Sequence, residues 1–476
     1  MDDPQTPIIV CYTFIAFTIL ILIVWAIIQG LKRKAYEESK KHSTPPILPS
    51  KADLWVTERS GMMAVIDLTQ CFENEDVGCY GNNPSSPYAI TNFYGVDPTN
   101  TNPLIQLGAF RLQPNQALLI TGYSPPPCAY WSFTMYLFND PDLCNGEPLF
   151  ASVADSVSNY TTNIGFNERW ALLTGVNTFV LNELKMSLLP NLHSVEYPYP
   201  VQGPEANMVM LERTAIFESP ISEKRFYENT GQRCFLLTYQ RAIPSEANVT
   251  TPTFIPRPTY LNERTEIPTT DVFNVAAADF LKQVQSVLTS YTYVTDVPVE
   301  GFLENINYDD GYDCINACTL CNGDSRGTNY TSSQIPGEVV YDEVIVTFGV
   351  NHATLGKSVY TNVSIYDGSR DLGIDSIDYF AGTLYYAVII SKNQQVLAAL
   401  KGHSWQLAPA VPKYYNLPQD VFDVLLIERA YVQIIGVVHP SVSADPSTMI
   451  RPKTWLLSQL PQPNLTNQTT TGYLIE

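Results

Sequence analysis

Histidine is scarce in this chain, basic side chains are outnumbered, and no long apolar run follows the first thirty residues. There are 5 His in 476 residues, and 27 Lys and Arg stand against 47 Asp and Glu, a net charge of −20. An acidic surface of this kind repels phosphate backbones, which argues against a nucleic-acid partner. The absence of a second apolar run limits the chain to one membrane crossing. GxSxG, GxGxxG, GxxxxGKS and HExxH are all missing, so no catalytic or nucleotide-binding signature is present. No repeat occurs at solenoid or propeller periods.

What is present begins with an anchor. Residues 8–28 (IIVCYTFIAFTILILIVWAII) contain no charge, Pro or Gly. At about 1.5 Å per residue they reach roughly 30 Å, the thickness of a bilayer core. Asp2 and Asp3 precede the run, and Lys32, Arg33 and Lys34 follow it, the reverse of a cleavable signal peptide. The expectation is a tail over 1–7, a single transmembrane helix over 8–29, and a basic juxtamembrane segment with a Pro-rich spacer over 30–51. Trp25 suits the interfacial aromatic belt, and the basic cluster suits anionic lipid headgroups.

Two signals for the side of the body oppose each other. Lys32, Arg33, Lys34, Lys40 and Lys41 follow the anchor and no basic residue precedes it, which by the positive-inside rule favours a cytoplasmic body. Eight of the nine cysteines lie beyond the anchor (Cys71, Cys79, Cys128, Cys144, Cys234, Cys314, Cys318 and Cys321), an even set suited to disulfides and an oxidising compartment. The cysteines tip the expectation to an extracytoplasmic or virion-enclosed body. Sequons at Asn159, Asn248, Asn329, Asn362, Asn464 and Asn467 do not decide it, because chance alone gives about four or five in so Asn-, Ser- and Thr-rich a chain.

The body reads as strands. In 130–138 (YWSFTMYLF), Trp131, Phe133, Met135 and Leu137 share one face and Tyr130, Ser132, Thr134 and Tyr136 the other, the pattern of a half-buried strand. Residues 116–123 form another candidate. The link 124–129 (SPPPCA) cannot be helical, so the two are expected to form a hairpin or a sheet-changing connection. Further candidates are 170–181, 208–217, 234–241, 339–348, 357–366, 383–391 and 421–432. One helix is expected over 271–290, capped by Thr270 or Asp271, with Phe273, Ala277, Phe280, Leu281, Val284, Val287 and Leu288 at helical spacing. The fold class is therefore mainly β: one or two antiparallel β-sandwich or jelly-roll-like domains with a few helices, behind an N-terminal transmembrane helix. The expected division is a β-rich domain over 52–297 and a second one, or a continuation with a Cys-rich loop, over 298–476.

Three local patterns carry chemistry. Cys314, Cys318 and Cys321 are spaced CxxxCxxC, the iron–sulfur spacing of radical-SAM enzymes, but the strands that follow do not supply the βα units such a site needs. Zinc with His352 as fourth ligand is the alternative. Disulfides are the favoured reading, with one of the three pairing to a distant cysteine if the other two pair together. Asp296, Glu300, Glu304, Asp309, Asp310 and Asp313 offer oxygen ligands for Ca²⁺, but no register puts Gly at the sixth position of an EF-hand loop. No cofactor is predicted. Residues 349–362 (GVNHATLGKSVYTN) join two strand candidates and bring Asn351, His352 and Lys357 into one loop, the most site-like segment of the chain. A lone loop His is more often a hydrogen-bonded structural residue, and Gly349 and Gly356 suggest a tight connection in which His352 bonds backbone.

The segment 130–137 (YWSFTMYL) resembles the Tyr-Trp-Ser-Leu-Thr-Met-Tyr strand of a β-sandwich domain in exported bacterial proteins of unknown function, a likeness reaching to about Asn182. CNGDSRGTNY at 321–330, GVNHATLGKSVYTN at 349–362 and ERAYV at 428–432 resemble segments of uncharacterised proteins from large DNA viruses of algae and from protists. The resemblance implies a β-sandwich body and a virion or infected-cell membrane, and it transfers no catalytic residue. The expected function is thus a single-pass structural or interaction protein with capsid or surface partners. The alternatives are an anchored enzyme acting on a lipid, glycan or small substrate near His352, and a glycan-binding module using tyrosine platforms.

Overall fold

The computed structural model describes residues 56–66, 83–84, 86–93, 108–188, 194–198, 206–240, 269–301, 311–321, 323–370, 372–379, 381–405, 412–432 and 445–459. The chain divides into two units, Met1–Leu48 and Pro49–Glu476, and every element below belongs to the second. The apolar run 8–28 lies outside the described residues; among the described residues no helix is long and apolar enough to cross a membrane.

The molecule is mainly β and mostly antiparallel. Its first sheet contains β1 (Val56–Ile66), β2 (Tyr88–Phe93), β3 (Gln116–Tyr123), β4 (Cys128–Asn139), β5 (Ala151–Ser152), β6 (Val157–Ser158), β7 (Arg169–Gly175), β8 (Ser194–Pro198), β9 (Asn207–Phe217) and β10 (Cys234–Gln240). The order is β5-β4-β9-β2-β1-β10-β3-β7-β8, with β6 also on β4. Consecutive β3 and β4 are therefore separated by four strands, and the Pro-rich link between them is not a hairpin turn. Trp131 and Phe133 of β4 nevertheless meet Trp170 of β7, with ring centroids 5.6 and 5.1 Å apart. The sheet must curl until strands far apart in its order enclose one core, in which Met135, Leu137, Leu118, Ile120, Leu172 and Met210 also lie. Right-handed strand twist favours such coiling in a wide sheet.

Two expectations change here. The second face of β4 is buried as well: Tyr130, Ser132, Thr134 and Tyr136 are covered, so this strand is not half-buried. The candidate strand over 170–181 stops at Gly175 and turns into α1 (Thr178–Leu188). Asn177 Oδ1 accepts from Phe179 N at 3.0 Å at that start. Val180, Leu181 and Leu184 then recur at helical spacing and pack on Ala117, Leu119, Ala171 and Leu173. A second helix, α2 (Pro220–Arg233), joins β9 to β10.

The rest of the body is three-layered. It opens with α3 (Thr270–Val287), whose cap is Thr269, accepting from Val272 N, one residue before the expected cap. There follow β11 (Tyr293–Val297), β12 (Glu300–Gly301), α4 (Gly311–Ala317), β13 (Thr328–Gln334), β14 (Val344–Val350), β15 (Tyr360–Asp367), β16 (Leu372–Tyr379), β17 (Tyr385–Ser391), α5 (Gln394–Lys401), β18 (Lys413–Asn416), β19 (Val424–Tyr431) and β20 (Lys453–Ser458). One sheet runs β11-β20-β14-β17-β18 and the other β12-β13-β19-β15-β16. Period two sorts the side chains of β14 and β17. Ile345, Val388 and Ile390 meet Val363, Ile365, Val424 and Leu426 of the opposite sheet, which makes the sandwich core. Val346, Phe348, Ala387 and Ile389 face the other way, onto Phe273, Phe280 and Val284 of α3 and Leu397 and Leu400 of α5. The helix expected across a sheet thus covers the back of this one.

Candidate functional site

The loop after β14 is tightly bonded. Asn351 N donates to Leu384 O at 2.9 Å, and its Nδ2 to Thr383 O at 3.0 Å. The carbonyl of His352 accepts from Leu355 N and Lys357 N, and Gly356 takes the left-handed turn conformation at φ +73°. Lys357 Nζ donates to Thr448 Oγ1 at 2.9 Å. The imidazole of His352, only 1 % exposed, reaches into the sandwich, where its Nε2 stands 3.5 Å from Glu428 Oε1. Beyond the backbone of its own loop, the ring thus has a carboxylate of the opposite sheet as a neighbour, which the sequence did not indicate.

Glu428 projects inward from β19, on the face that carries Val424 and Leu426. A carboxylate in such a place needs partners. Tyr386 OH donates to its Oε1 at 2.8 Å from β17, and Thr331 Oγ1 to its Oε2 at 3.0 Å from β13. Burial, and then the charge and hydrogen bond of Glu428, hold the Tyr386 phenol well above its ordinary pKa, so it remains a donor. Gly349 makes this geometry possible. It lies opposite Tyr386 in the ladder, and a Cβ there would meet the tyrosine Cζ at 2.3 Å. Beside the cluster is a small cavity of ≈ 20 Å³, lined by Asn329, Tyr330, Thr331, His352, Glu428 and Arg451 among others. That is room for about one water. Of the three sequence candidates, His352 lines it, while Asn351 and Lys357 direct their polar groups elsewhere.

The sequence reading missed Glu428, Tyr386 and Thr331. A signal for Glu428 existed: an acidic residue stands at an inward position of a strand whose other inward positions are apolar. Nothing local marked the other two.

The Cys-rich segment is a clamp. Cys314 is bonded to Cys321, and Cys318 to Cys144, 174 residues away beyond the end of β4. One short and one distant pair is the arrangement expected of the three. As disulfides these sulfurs are crosslinks rather than thiolate ligands. Cys128 corrects the list of disulfide candidates: it is a buried thiol at the start of β4, whose Sγ donates to Tyr130 O. Cys71, Cys79 and the side chain of Cys234 lie outside the described residues, as do Glu304, Asp309 and Asp310 of the acidic run.

Polar bonds reinforce the clamp. Asp324 accepts from Ser152 N at 2.7 Å, from Ser152 Oγ at 2.5 Å and from Gly311 N at 3.1 Å. A Cβ at Gly311 would lie 2.2 Å from Ser152 O, so only glycine allows this approach. Arg213 donates through Nη2 to Gly323 O and lies over the rings of Tyr88 and Tyr136. Arg326 pairs with Asp155 at 3.0 Å. The second face of β4 is covered from two places: Tyr136 OH donates to Asp324 O at 2.8 Å, and Tyr130 packs with Tyr360 of β15 and Tyr431 of β19. Cys314, Ile315 and Cys321 join the core on the first face. No family model matches this sequence, and no curated protein matches it.

Proposed function

We propose that the chain is a single-pass membrane-anchored structural or interaction protein, whose acidic β-sandwich body offers a rigid surface to a capsid or surface partner. The observation that carries this reading is the use made of the reactive side chains. Among the described residues four cysteines form crosslinks, Lys357 and Asn351 tie loops together, and the cavity at His352 has space for about one water. The apolar run 8–28 and its basic flank support the anchor. The resemblance to viral segments supports a virion or infected-cell membrane.

Deleting residues 1–41 tests the anchor. The remaining chain is expected to stay in the supernatant of a carbonate-washed membrane preparation, where the full chain sediments. A truncated chain that still sediments refutes the single-pass reading. Crosslinking followed by mass spectrometry on purified virions or membrane fractions then identifies the partner.

One observation favours a second reading, an anchored enzyme for a lipid, glycan or small substrate. A buried carboxylate beside an imidazole is the arrangement that orients a histidine for proton transfer. That reading requires the cavity to widen before a substrate could reach His352.

A further inference from the structure

Three sequon asparagines fall among the described residues, and two of them, Asn329 and Asn362, are buried, while Asn159 is half-buried. Asn362, on β15, is 0 % exposed; its Nδ2, the atom a glycan would occupy, donates to Asp378 Oδ1 at 2.6 Å, and its Oδ1 accepts from Ser364. Asn329, on β13, is 8 % exposed and lines the cavity beside His352. Asn159 Oδ1 accepts from Trp131 N at 3.1 Å. An N-linked glycan is a bulky surface group attached while the chain enters a glycosylating lumen, before strands such as β13 and β15 have paired. On Asn329, beside the inward Glu428, it would stop the sandwich from closing. On Asn362, on the other face of that sheet, it would displace the bond to Asp378 and whatever buries the side chain.

The chain therefore suits a compartment without that modification, yet its described residues carry two disulfides. Burial of the sequons and oxidation of the cysteines together separate two properties that a secretory lumen couples. The five basic residues that follow the anchor place the body on the cytoplasmic side by the positive-inside rule. Thiols there are kept reduced by the glutathione and thioredoxin pools, so the crosslinks need a dedicated oxidant.

We infer that the body folds on the cytoplasmic side of its membrane, unglycosylated, and that a dithiol oxidase acting there installs Cys144–Cys318 and Cys314–Cys321. In each step two cysteine thiols lose two protons and two electrons, one S–S bond forms, and the disulfide of the oxidase is reduced to a dithiol. This inference rests on the anchored reading above. It revises the extracytoplasmic expectation and keeps the virion-enclosed one, since a body on the cytoplasmic face becomes interior when a particle buds around it.

The test is expression of the full chain in eukaryotic cells, with and without a co-expressed cytosolic flavin-dependent sulfhydryl oxidase. Microsomes are then washed with carbonate, treated with protease without detergent, or treated with an N-glycosidase. The expected result is a carbonate-resistant chain whose body is digested in sealed microsomes and whose mobility is unchanged by glycosidase. Peptide mapping should find the Cys144–Cys318 peptide as a minor species without the oxidase and as the major one with it. A protease-protected body overturns the assignment, glycosylated or not, as does failure of the peptide to increase with the oxidase. Release by carbonate overturns the anchored reading and this inference with it, whereas a carbonate-resistant but protected body overturns the inference alone.

Discussion

Gly349 and Tyr386 face each other across β14 and β17, and the ring of Tyr386 lies over the space that a side chain at 349 would fill. The tyrosine hydroxyl can reach Glu428 on the opposite sheet only because this space is empty. Gly349→Ala is therefore expected to displace the ring and cost about 1–3 kcal/mol by overpacking, measured as a lower midpoint in urea or heat. Tyr386→Phe in the same background should add less than it does alone, because the bond it removes is already broken. Full additivity of the two would show that they are not linked.

His352→Ala is expected to lower the melting temperature through loss of about 1–3 kcal/mol, since it strips a neighbour from a buried carboxylate. His352→Gln should recover part of that loss by restoring a donor. Unchanged melting together with abolished turnover or ligand binding would instead promote the enzyme reading.

The two disulfides should differ in worth. Cys144–Cys318 closes a loop of 174 residues, and Cys314–Cys321 one of 7. Chain-entropy reasoning makes the long closure about 3 kcal/mol more stabilising than the short one. Cys144→Ser/Cys318→Ser should accordingly lower the denaturant midpoint further than Cys314→Ser/Cys321→Ser, and equal losses would contradict this.

Alkaline pH should unfold the body in one step. Burial raises the phenols of Tyr136, Tyr360 and Tyr386 well above 10, and burial together with Asp375 pushes Tyr415 up to about 12. A raised folded-state pKa means that the folded chain keeps its proton while the unfolded chain releases it. Stability from these groups is therefore complete below pH 10 and falls as pH rises through the raised values. Phenolate absorbance and loss of near-UV circular dichroism should appear together above pH 10. A large phenolate signal that precedes unfolding would count against the burial of these rings.

Much of the fold could be read from alternation alone. Trp131, Phe133, Met135 and Leu137 do share a core face, and Phe273, Ala277, Phe280 and Val284 do line one side of a helix. Alternation states which residues share a face, but not what covers each face. That is why β4 looked half-buried: the cover of its second face, the Asp324 segment over Tyr136 and the Tyr360 and Tyr431 rings against Tyr130, comes from far later in the chain. Residues 170–181 misled for a related reason, because apolar residues suit a strand and the buried side of a helix equally until Asn177 divides them. At the candidate site His352 was legible as a rare residue between glycines. Its partner Glu428 lies 76 positions away on another sheet, a proximity that comes from strand order rather than local pattern.

That strand order also sets a timetable for synthesis. β20 lies between β11 and β14, and β10 between β1 and β3, so in each case a late strand fills an interior position. A ribosome adding about 5–20 residues per second needs on the order of ten seconds to proceed from β14 to β20. Throughout that interval β14 has an unsatisfied edge beside an apolar surface, the condition that favours aggregation and calls for a chaperone. A nascent chain stalled before Lys453 would carry that open edge indefinitely, and it should bind holdase chaperones in proportion to the length of the pause.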